Sequence, residues 1–386
     1  MAVLRFADLS YFTAGQWEED LKFAREPILV DPKWENTILA ESLLSQLDSL
    51  PSREPNVFWM ATSGSTGHPK LIRKTKDQIS SEALYWKNNL ESALGWKWVP
   101  SDRFQVTVPL CHLYGLIWGY ELPRLLGADI RYSSPSAILE IEFLDSDVLI
   151  AIPYTLRSWK EKHIPLPKRI ISSGSKFPVP LAQAFRAEGK VDIREIYGST
   201  ETGAMGFRNP MWKARFTLLP NVTPRLVSMK EEEVLLVRSE FVSEVAWELK
   251  PDTDKPSHWE ETKLTDESGF FMTNDIGDYS EIGWNYFGRI DRLIKVKGKR
   301  ISLDIVESLI ASMPEVADVA VVSYADQEDT EIACMIRSNL SPVEIQKSLA
   351  KDLPASHLPK KMVLVEKIPK LPNGKTDYRS VMRGFT

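Results

Sequence analysis

Residues 58–70 read Phe-Trp-Met-Ala-Thr-Ser-Gly-Ser-Thr-Gly-His-Pro-Lys. Phe58 to Ala61 form an apolar run of strand length that leads straight into Thr62, Ser63, Gly64, Ser65, Thr66 and Gly67. A buried strand ending in hydroxyls and glycines gathers O–H and backbone N–H donors in one place. Gly64 and Gly67 carry no Cβ to hold an anion at a distance. Lys70 adds a positive charge at the end of the loop. The stretch reads as a polyphosphate cradle, with an ordinary Ser/Gly/Thr surface turn as the plain alternative. Spacing excludes two other cradles. A Walker loop has four residues between its first glycine and a Gly-Lys-Ser/Thr end, but here two residues separate Gly64 from Gly67 and Pro69 precedes Lys70. The same glycines do not fit Gly-x-Gly-x-x-Gly.

The chain has 386 residues, 43% of them hydrophobic, enough for a large core and two or three domains. A net charge of −5 argues against a nucleic-acid binder, which would carry a basic stripe. There is no apolar run of eighteen residues and no basic segment followed by an apolar one at the N-terminus, so neither a membrane span nor a secretory signal is expected. The two cysteines, Cys111 and Cys334, lie far apart in no metal-like spacing. The expectation is a cytoplasmic enzyme.

Along the chain, residues 1–57 are mixed, with helix-like patches at 17–25 and 37–50 broken by prolines. They read as an N-terminal arm or cap. Beyond the glycine loop, strand candidates at 70–75, 104–108, 147–152, 169–172 and 193–197 alternate with helical stretches such as 76–93, 110–126 and 180–188. That alternation predicts an α/β fold with parallel pairing, and ligands beyond the C-terminal ends of the strands. Residues 204–270 are the least informative. From 291 onward a smaller α+β unit is expected, with helices at 303–313 and 341–353 and strands at 317–323, 331–337 and 361–366. Ser341, Pro342 and Glu344 form a capping-box start for the second helix.

The string from Thr62 to Lys70 closely resembles the phosphate loop of the acyl-adenylating superfamily, which includes acyl- and aryl-CoA synthetases, peptide-synthetase adenylation domains and luciferases. That family activates a carboxylate with ATP, giving acyl-AMP and pyrophosphate. Further motifs should follow in a fixed order, and they do. Pro109-Leu-Cys-His-Leu-Tyr-Gly115 matches a Pro-x-x-His-x-x-Gly stretch whose histidine, here His112, flanks the acyl pocket and pantetheine tunnel. A lone His among apolar residues is more often packed than catalytic, and adjacency alone makes no dyad of Cys111 and His112. Ile171-Ser-Ser-Gly-Ser-Lys-Phe177 implies an adenine site along Ser173, Gly174 and Ser175, although Ser175 departs from the usual Ala. Tyr197-Gly-Ser-Thr-Glu-Thr-Gly203 is the most specific match. The resemblance gives Tyr197, Gly198 and Ser199 to the nucleotide, Thr200 to the α-phosphate and Glu201 to Mg²⁺, a hard cation that takes carboxylate and phosphate oxygens together.

Thr273-Asn-Asp-Ile-Gly277 implies that Asp275 accepts both ribose hydroxyls, with Asn274 in place of glycine. Phe287 to Ile301 assigns Arg289 to ribose and phosphate and Asp291 to a hinge between two domains. Lys297 and Gly298 would form a loop that enters the site in the second half-reaction. Pro369-Lys-Leu-Pro-Asn-Gly-Lys375 completes the set with a lysine at the tip of an Asn-Gly turn.

The implied domains are a reduced arm (1–57), a large adenylate-forming domain of mixed and parallel sheets flanked by helices (58–290) and a small mobile lid (291–386). The implied chemistry is in-line attack of a carboxylate on the α-phosphate of ATP. Thr62 to Thr66 and Lys70 hold the β/γ-phosphates, and Lys375, as a cation, meets the developing charge. The lid would then rotate about Asp291 and admit a thiol, from CoA or a phosphopantetheinyl carrier protein. About sixty residues precede the glycine loop, fewer than is usual in the family. The strings resemble the acyl/aryl ligases of aryl-polyene and xanthomonadin pathways, with o-succinylbenzoate–CoA ligases as the alternative. Amino-acid adenylation lacks a convincing pocket Asp. A degenerate binding protein has no need of Glu201, Asp275, Arg289 and Lys375 together. Trp118, Trp159 and Phe207 are candidate walls of the acid pocket.

Overall fold

The computed structural model describes residues 3–6, 9–31, 41, 43, 54–62, 70–133, 143, 147–250, 258–313, 315–326, 329–371 and 375–385. Ser63, Gly64, Ser65, Thr66 and Gly67 of the glycine loop lie outside these residues, as do the Asn373–Gly374 turn and most of the helix expected at 37–50.

The parallel α/β expectation is met by a seven-stranded sheet. Its spatial order is Thr217–Leu218, Gly203–Arg208, Asp192–Ser199, Arg169–Ser172, Asp147–Ala151, Arg103–Val106 and Asp129–Tyr132. The last five pair in parallel, and the first two run antiparallel. The Asp147–Ala151 strand is buried along its whole length, as a continuous apolar run in a central parallel position should be. Helices Pro153–Glu161 and Val179–Glu188 connect the parallel strands and bury Leu156, Trp159, Leu181 and Phe185.

A six-stranded sheet takes the order Val3–Phe6, Pro27–Val30, Val57–Thr62, Lys70–Thr75, Val245–Lys250 and His258–Lys263. Its first strands correct the reading of residues 1–57 as an arm or cap. Val3–Phe6 pairs with Pro27–Val30, which pairs with the strand of the glycine loop, all in parallel. Phe12, Trp17 and Leu21 pack into the main core with Phe58, so this segment is built into the large domain. A third, antiparallel sheet joins Thr223–Met229, Glu232–Arg238, Phe271–Ser280 and Gly283–Arg289. Among the described residues, the least informative stretch, 204–270, supplies six strands, the first of them starting at Gly203. Thr223–Met229 is an edge strand with hardly any burial, which leaves little apolar pattern to read.

After Arg289 a short 3₁₀ turn, Ile290–Arg292, precedes the hairpin Leu293–Val296/Lys299–Ser302. A three-stranded sheet, Val316–Asp326, Asp329–Ser338 and Lys361–Leu364, packs with helices Leu303–Ala311, Pro342–Leu349 and Tyr378–Arg383. The Ser341–Glu344 capping box forms as expected. This unit owns a core of Val306, Ile310, Val321, Ile332, Ile336 and Ile345, separate from the core around Trp86, Trp118 and Phe104. All twelve tryptophans of the chain lie at or before position 284, and Trp17, Trp86, Trp118, Trp159 and Trp284 are fully buried. Among the described residues no helix is long and apolar enough to cross a membrane.

Candidate active site

The site grows from the C-terminal ends of adjacent strands. Asp192–Ser199 ends in Tyr197, Gly198 and Ser199, then turns through Thr200 to Thr202 into Gly203–Arg208. A Cβ on Gly198 would lie 2.2 Å from the Gly203 carbonyl oxygen, so this closure requires glycine. The Ser199 N–H donates to Thr202 Oγ1 at 3.0 Å, and the Thr202 N–H donates to Ser199 Oγ at 3.1 Å. The Ser199 hydroxyl is thus spent on the turn that presents Thr200 and Glu201. It acts as a positioning group in this geometry.

Beneath that turn lies a pair that the sequence reading missed. Lys74 is 1% exposed, and its Nζ donates to the carbonyls of Phe241 at 2.7 Å and Glu201 at 3.3 Å. The Ser243 N–H donates to the same Glu201 carbonyl at 2.7 Å. Buried Glu82 faces Lys74. Burial lowers the pKa of Lys74 and raises that of Glu82, while the charge of each partner opposes both shifts. The lysine fixes the main chain of Glu201. In sequence, 70–75 reads as a strand and Lys74 has no assigned role. The available signal was period two, because Lys74 shares the face of the buried Ile72.

The group around Tyr197 is assembled from two sheets, the seven-stranded one and the antiparallel four-stranded one. Ser173 Oγ donates to the Ile196 carbonyl at 2.8 Å, which ties the Ser173–Ser175 turn to the strand of Tyr197, while Gly174 and Ser175 are exposed. The Tyr197 ring stacks on Phe216, with centroids 4.8 Å apart. Its hydroxyl donates to Asp275. Asp275 and Arg289 stand opposite each other in register, with Nη1 3.5 Å from Oδ1. Asn274 takes a left-handed φ of +63°, the conformation its substitution for glycine demands. Burial pushes the Asp275 carboxyl up to about 6, against the hydrogen bond from Tyr197 and the charge of Arg289. Arg289 also pairs with Asp291 at 2.9 Å.

Lys375 arrives from the small domain. The residue is exposed, yet the cleft walls desolvate its ammonium and lower its pKa; Glu201 opposes this and Arg289 adds to it. Thr62 lies opposite Lys70 across the neck of the glycine loop, and Lys70 Nζ is 3.0 Å from Glu248 Oε1. Gly298, with φ +80°, sits at the hairpin tip beside Lys297, which faces Glu331 at 3.6 Å, and Arg300 pairs with Glu231. That hairpin is engaged away from the Tyr197–Asp275 group. The expected pocket walls are not brought together. Trp118 and Phe207 belong to the main core, whereas Trp159 is buried in a separate cluster under helix Pro153–Glu161. His112 is N-terminal to the helix Leu113–Leu116, does not cap it, and lies 3.7 Å from Asp31. Contrary to the sequence argument from adjacency, Cys111 and His112 do converge: their ligand atoms and that of Asp31 all lie within 4.8 Å of one another.

At the end of the parallel sheet, a buried aspartate takes a hydrogen bond from a stacked tyrosine and faces an arginine across a strand pair. The chain belongs to the AMP-binding enzyme family, whose model matches residues 11–240, and the AMP-binding enzyme C-terminal domain matches residues 305–375. It is 25% identical to the long-chain-fatty-acid–CoA ligase FadD13 of Mycobacterium tuberculosis, over 89% of this chain and 72% of that protein. It is 28% identical to the mitochondrial malonate–CoA ligase ACSF3 of Bos taurus, over 86% of this chain and 64% of that one. Among solved structures, an E. coli MenE variant with bound OSB-AMS superposes with a TM-score of 0.77 at 16% identity. That match covers 100% of this chain and 87% of MenE.

Proposed function

We propose that the chain is an AMP-forming acid–thiol ligase that activates a carboxylic acid with ATP and passes the acyl group to CoA. The observation that carries this reading is the Tyr197–Asp275–Arg289 group, a hydrogen bond and a 3.5 Å ion contact that join two sheets at the end of the strand leading to Glu201. In the first step a carboxylate oxygen attacks the α-phosphorus, the bond to the bridging oxygen breaks, and pyrophosphate leaves with the electron pair. Nucleophile and phosphate are both anionic, so pre-placed positive charge is the main requirement. Lys375 supplies it as a cation, Asp275 and Arg289 hold the ribose, and the Ser173–Ser175 turn with Tyr197 receives the adenine. Thr62 to Thr66, Gly67 and Lys70 take the β/γ-phosphates once Lys70 leaves Glu248. Thr200 meets the α-phosphate.

Glu201 suits Mg²⁺. Its main chain is anchored by Lys74 and Ser243, so its carbonyl is occupied by the protein and its carboxylate is the group left to offer the ion. Bound there, the ion would neutralise phosphate charge. In the second step a thiol sulfur attacks the acyl carbon and AMP leaves. We assign Asp291 as the hinge that exchanges Lys375 for the Gly298 loop, and His112 to the acyl side. The domain division is then 1–290 and 291–386, and a cytoplasmic location fits two cysteines that form no disulfide.

The test is carboxylate-dependent exchange between pyrophosphate and ATP, with aryl, fatty, malonate-type, o-succinylbenzoate and amino acids, followed by CoA or a phosphopantetheinyl carrier protein as acceptor. Exchange with one acid class that is lost in Lys375→Ala supports the reading. Nucleotide binding without exchange for any acid overturns it in favour of a degenerate binding protein.

A further inference from the structure

The cluster of Asp31, Cys111 and His112 is not needed for nucleotide binding, and its geometry carries a separate conclusion. Asp31 follows strand Pro27–Val30 of the six-stranded sheet. Cys111 and His112 lie in the turn that follows strand Arg103–Val106 of the seven-stranded sheet. The donors therefore come from two sheets and meet where both end. Asp31 and Cys111 are 3% and 2% exposed, and the His112 side chain is 28% exposed. His112 Nε2 is itself buried, makes no hydrogen bond, and lies 3.7 Å from Asp31 Oδ2. The turn is rigid. A Cβ on Gly115 would fall 2.1 Å from the Pro109 carbonyl oxygen, and the His112 carbonyl accepts the Leu116 N–H at 2.9 Å. The imidazole and the thiol are held toward the carboxylate by backbone packing.

We propose that Asp31, Cys111 and His112 form a binding site for a thiophilic divalent cation of the zinc class, distinct from the Mg²⁺ assigned to Glu201. One sulfur, one imidazole nitrogen and one carboxylate oxygen are the donor types that tetrahedral Zn²⁺ takes, with ligand atoms roughly 3.3–3.7 Å apart around the ion. The observed spacing of 3.7 Å between nitrogen and oxygen, and at most 4.8 Å within the set, closes to that geometry by side-chain rotation. Charge balances: a thiolate and a carboxylate neutralise the dication, and one proton leaves the thiol for solvent on binding. Softness separates the site from Glu201, since thiolate and imidazole select zinc-class ions while Mg²⁺ takes oxygen. Three protein donors leave a fourth position for water, on the side where His112 is exposed.

The chain offers a built-in control, because its other cysteine, Cys334, lies in the core of the small domain. The reduced full-length protein is titrated anaerobically with Co²⁺. We expect saturation at one equivalent, with thiolate-to-cobalt charge transfer in the near ultraviolet and the visible bands of four-coordinate cobalt. One proton should be released per ion, and stoichiometric Zn²⁺ should displace the cobalt. Cys334→Ser keeps these features, Cys111→Ser loses the charge-transfer band, and His112→Ala weakens binding at least ~10–100-fold. Absence of the band at one equivalent, or its survival in Cys111→Ser, overturns the proposal. Should Cys111→Ser fail to fold, X-ray absorption on the zinc-loaded wild type decides. One sulfur at about 2.3 Å with nitrogen and oxygen at about 2.0–2.1 Å supports the site, and a shell without sulfur refutes it.

Discussion

The nucleoside wall and the lid seam are built on opposite principles. Around Tyr197 and Asp275 the groups are buried, stacked and locked by hydrogen bonds that run from one sheet to the next. Across the seam, the small domain meets the large one largely through charges. Arg157 donates to the Ala317 carbonyl and faces Asp318 at 3.6 Å, while Arg337 pairs with Glu161 at 2.6 Å. Arg337 and Glu161 are 37% and 45% exposed, the regime in which ion pairs contribute only ~0–1 kcal/mol. The two large cores share no residue among those described. A domain that owns its core can keep its fold apart from its neighbour, although at Arg157 and Asp318, 20% and 18% exposed, the seam is half-buried. The contrast shows where precision is needed. On the proposed function, the groups that would hold the nucleotide are fixed, and the lysine that would come and go rides on the smaller domain.

The largest effect that could break this contrast is expected under the fixed wall. Lys74→Met strands Glu82 as a buried, unpaired acid and should cost about 3–5 kcal/mol of stability, read from denaturant midpoints. Lys74→Met with Glu82→Leu should recover most of that loss, while the Glu201 turn, deprived of its anchor, still requires more Mg²⁺ for exchange. Recovery of neither stability nor folding in the double variant would show that the pair is not the unit described here.

Lys375→Ala should follow, slowing pyrophosphate exchange ~10²–10³-fold with little change in ATP affinity. An equal loss in binding would place this lysine with the fixed groups and erase the distinction.

Asp275 gives a smaller effect with a defined pH signature. Its carboxyl sits at about 6, so the folded state holds the proton more tightly than the unfolded chain does. The resulting stabilisation is fully present below the unfolded value near ~3.9 and is lost as pH rises through about 6. Asp275→Asn should therefore raise the melting temperature at pH 7 and flatten its pH dependence in that window. The same change should weaken adenosine binding ~10–100-fold, through lost charge-assisted hydrogen bonds. Wild-type adenosine affinity should climb as pH rises through about 6, and adenosine is the cleaner probe because it carries no titrating phosphate. A flat profile would remove Asp275 from the ribose site.

The smallest effect belongs to the seam. Arg337→Ala should change stability by less than ~1 kcal/mol and shift the balance between exchange and thioester formation by a few-fold, less so in high salt. A salt-independent change of tenfold or more would mean the seam is packed, not merely charged.

What was legible in the chain follows the same division. Asp275, Arg289, Glu201 and Lys375 stand out because each task admits few residue types, and their order survives whatever the packing does. Asp147–Ala151 and Arg169–Ser172 could be read because buried central strands are largely apolar, whereas Asp129–Tyr132, half-exposed at the sheet edge, was not read. Thr223–Met229 escaped notice because a sheet edge buries little. Lys74 escaped because its identity says solvent while its burial is decided by a carbonyl from residue 241, far along the chain. Trp159 was grouped with Trp118 because aromatic residues look alike in sequence, and only the topology shows them in different cores. The approach of Cys111 to His112 depends on the Pro109–Gly115 turn, which no periodicity describes.

The distribution of tryptophan makes the protein optically lopsided. With every indole at or before Trp284, tryptophan emission reports the large body alone, and the small domain, which holds Tyr324 and Tyr378 but no indole, is dark to it. A fluorescence melt would record one transition even if the lid had already unfolded, whereas circular dichroism would see both. The same silence is an opportunity, because a single indole placed in the lid, as in Tyr324→Trp, would add the lid's unfolding to an emission otherwise silent about it.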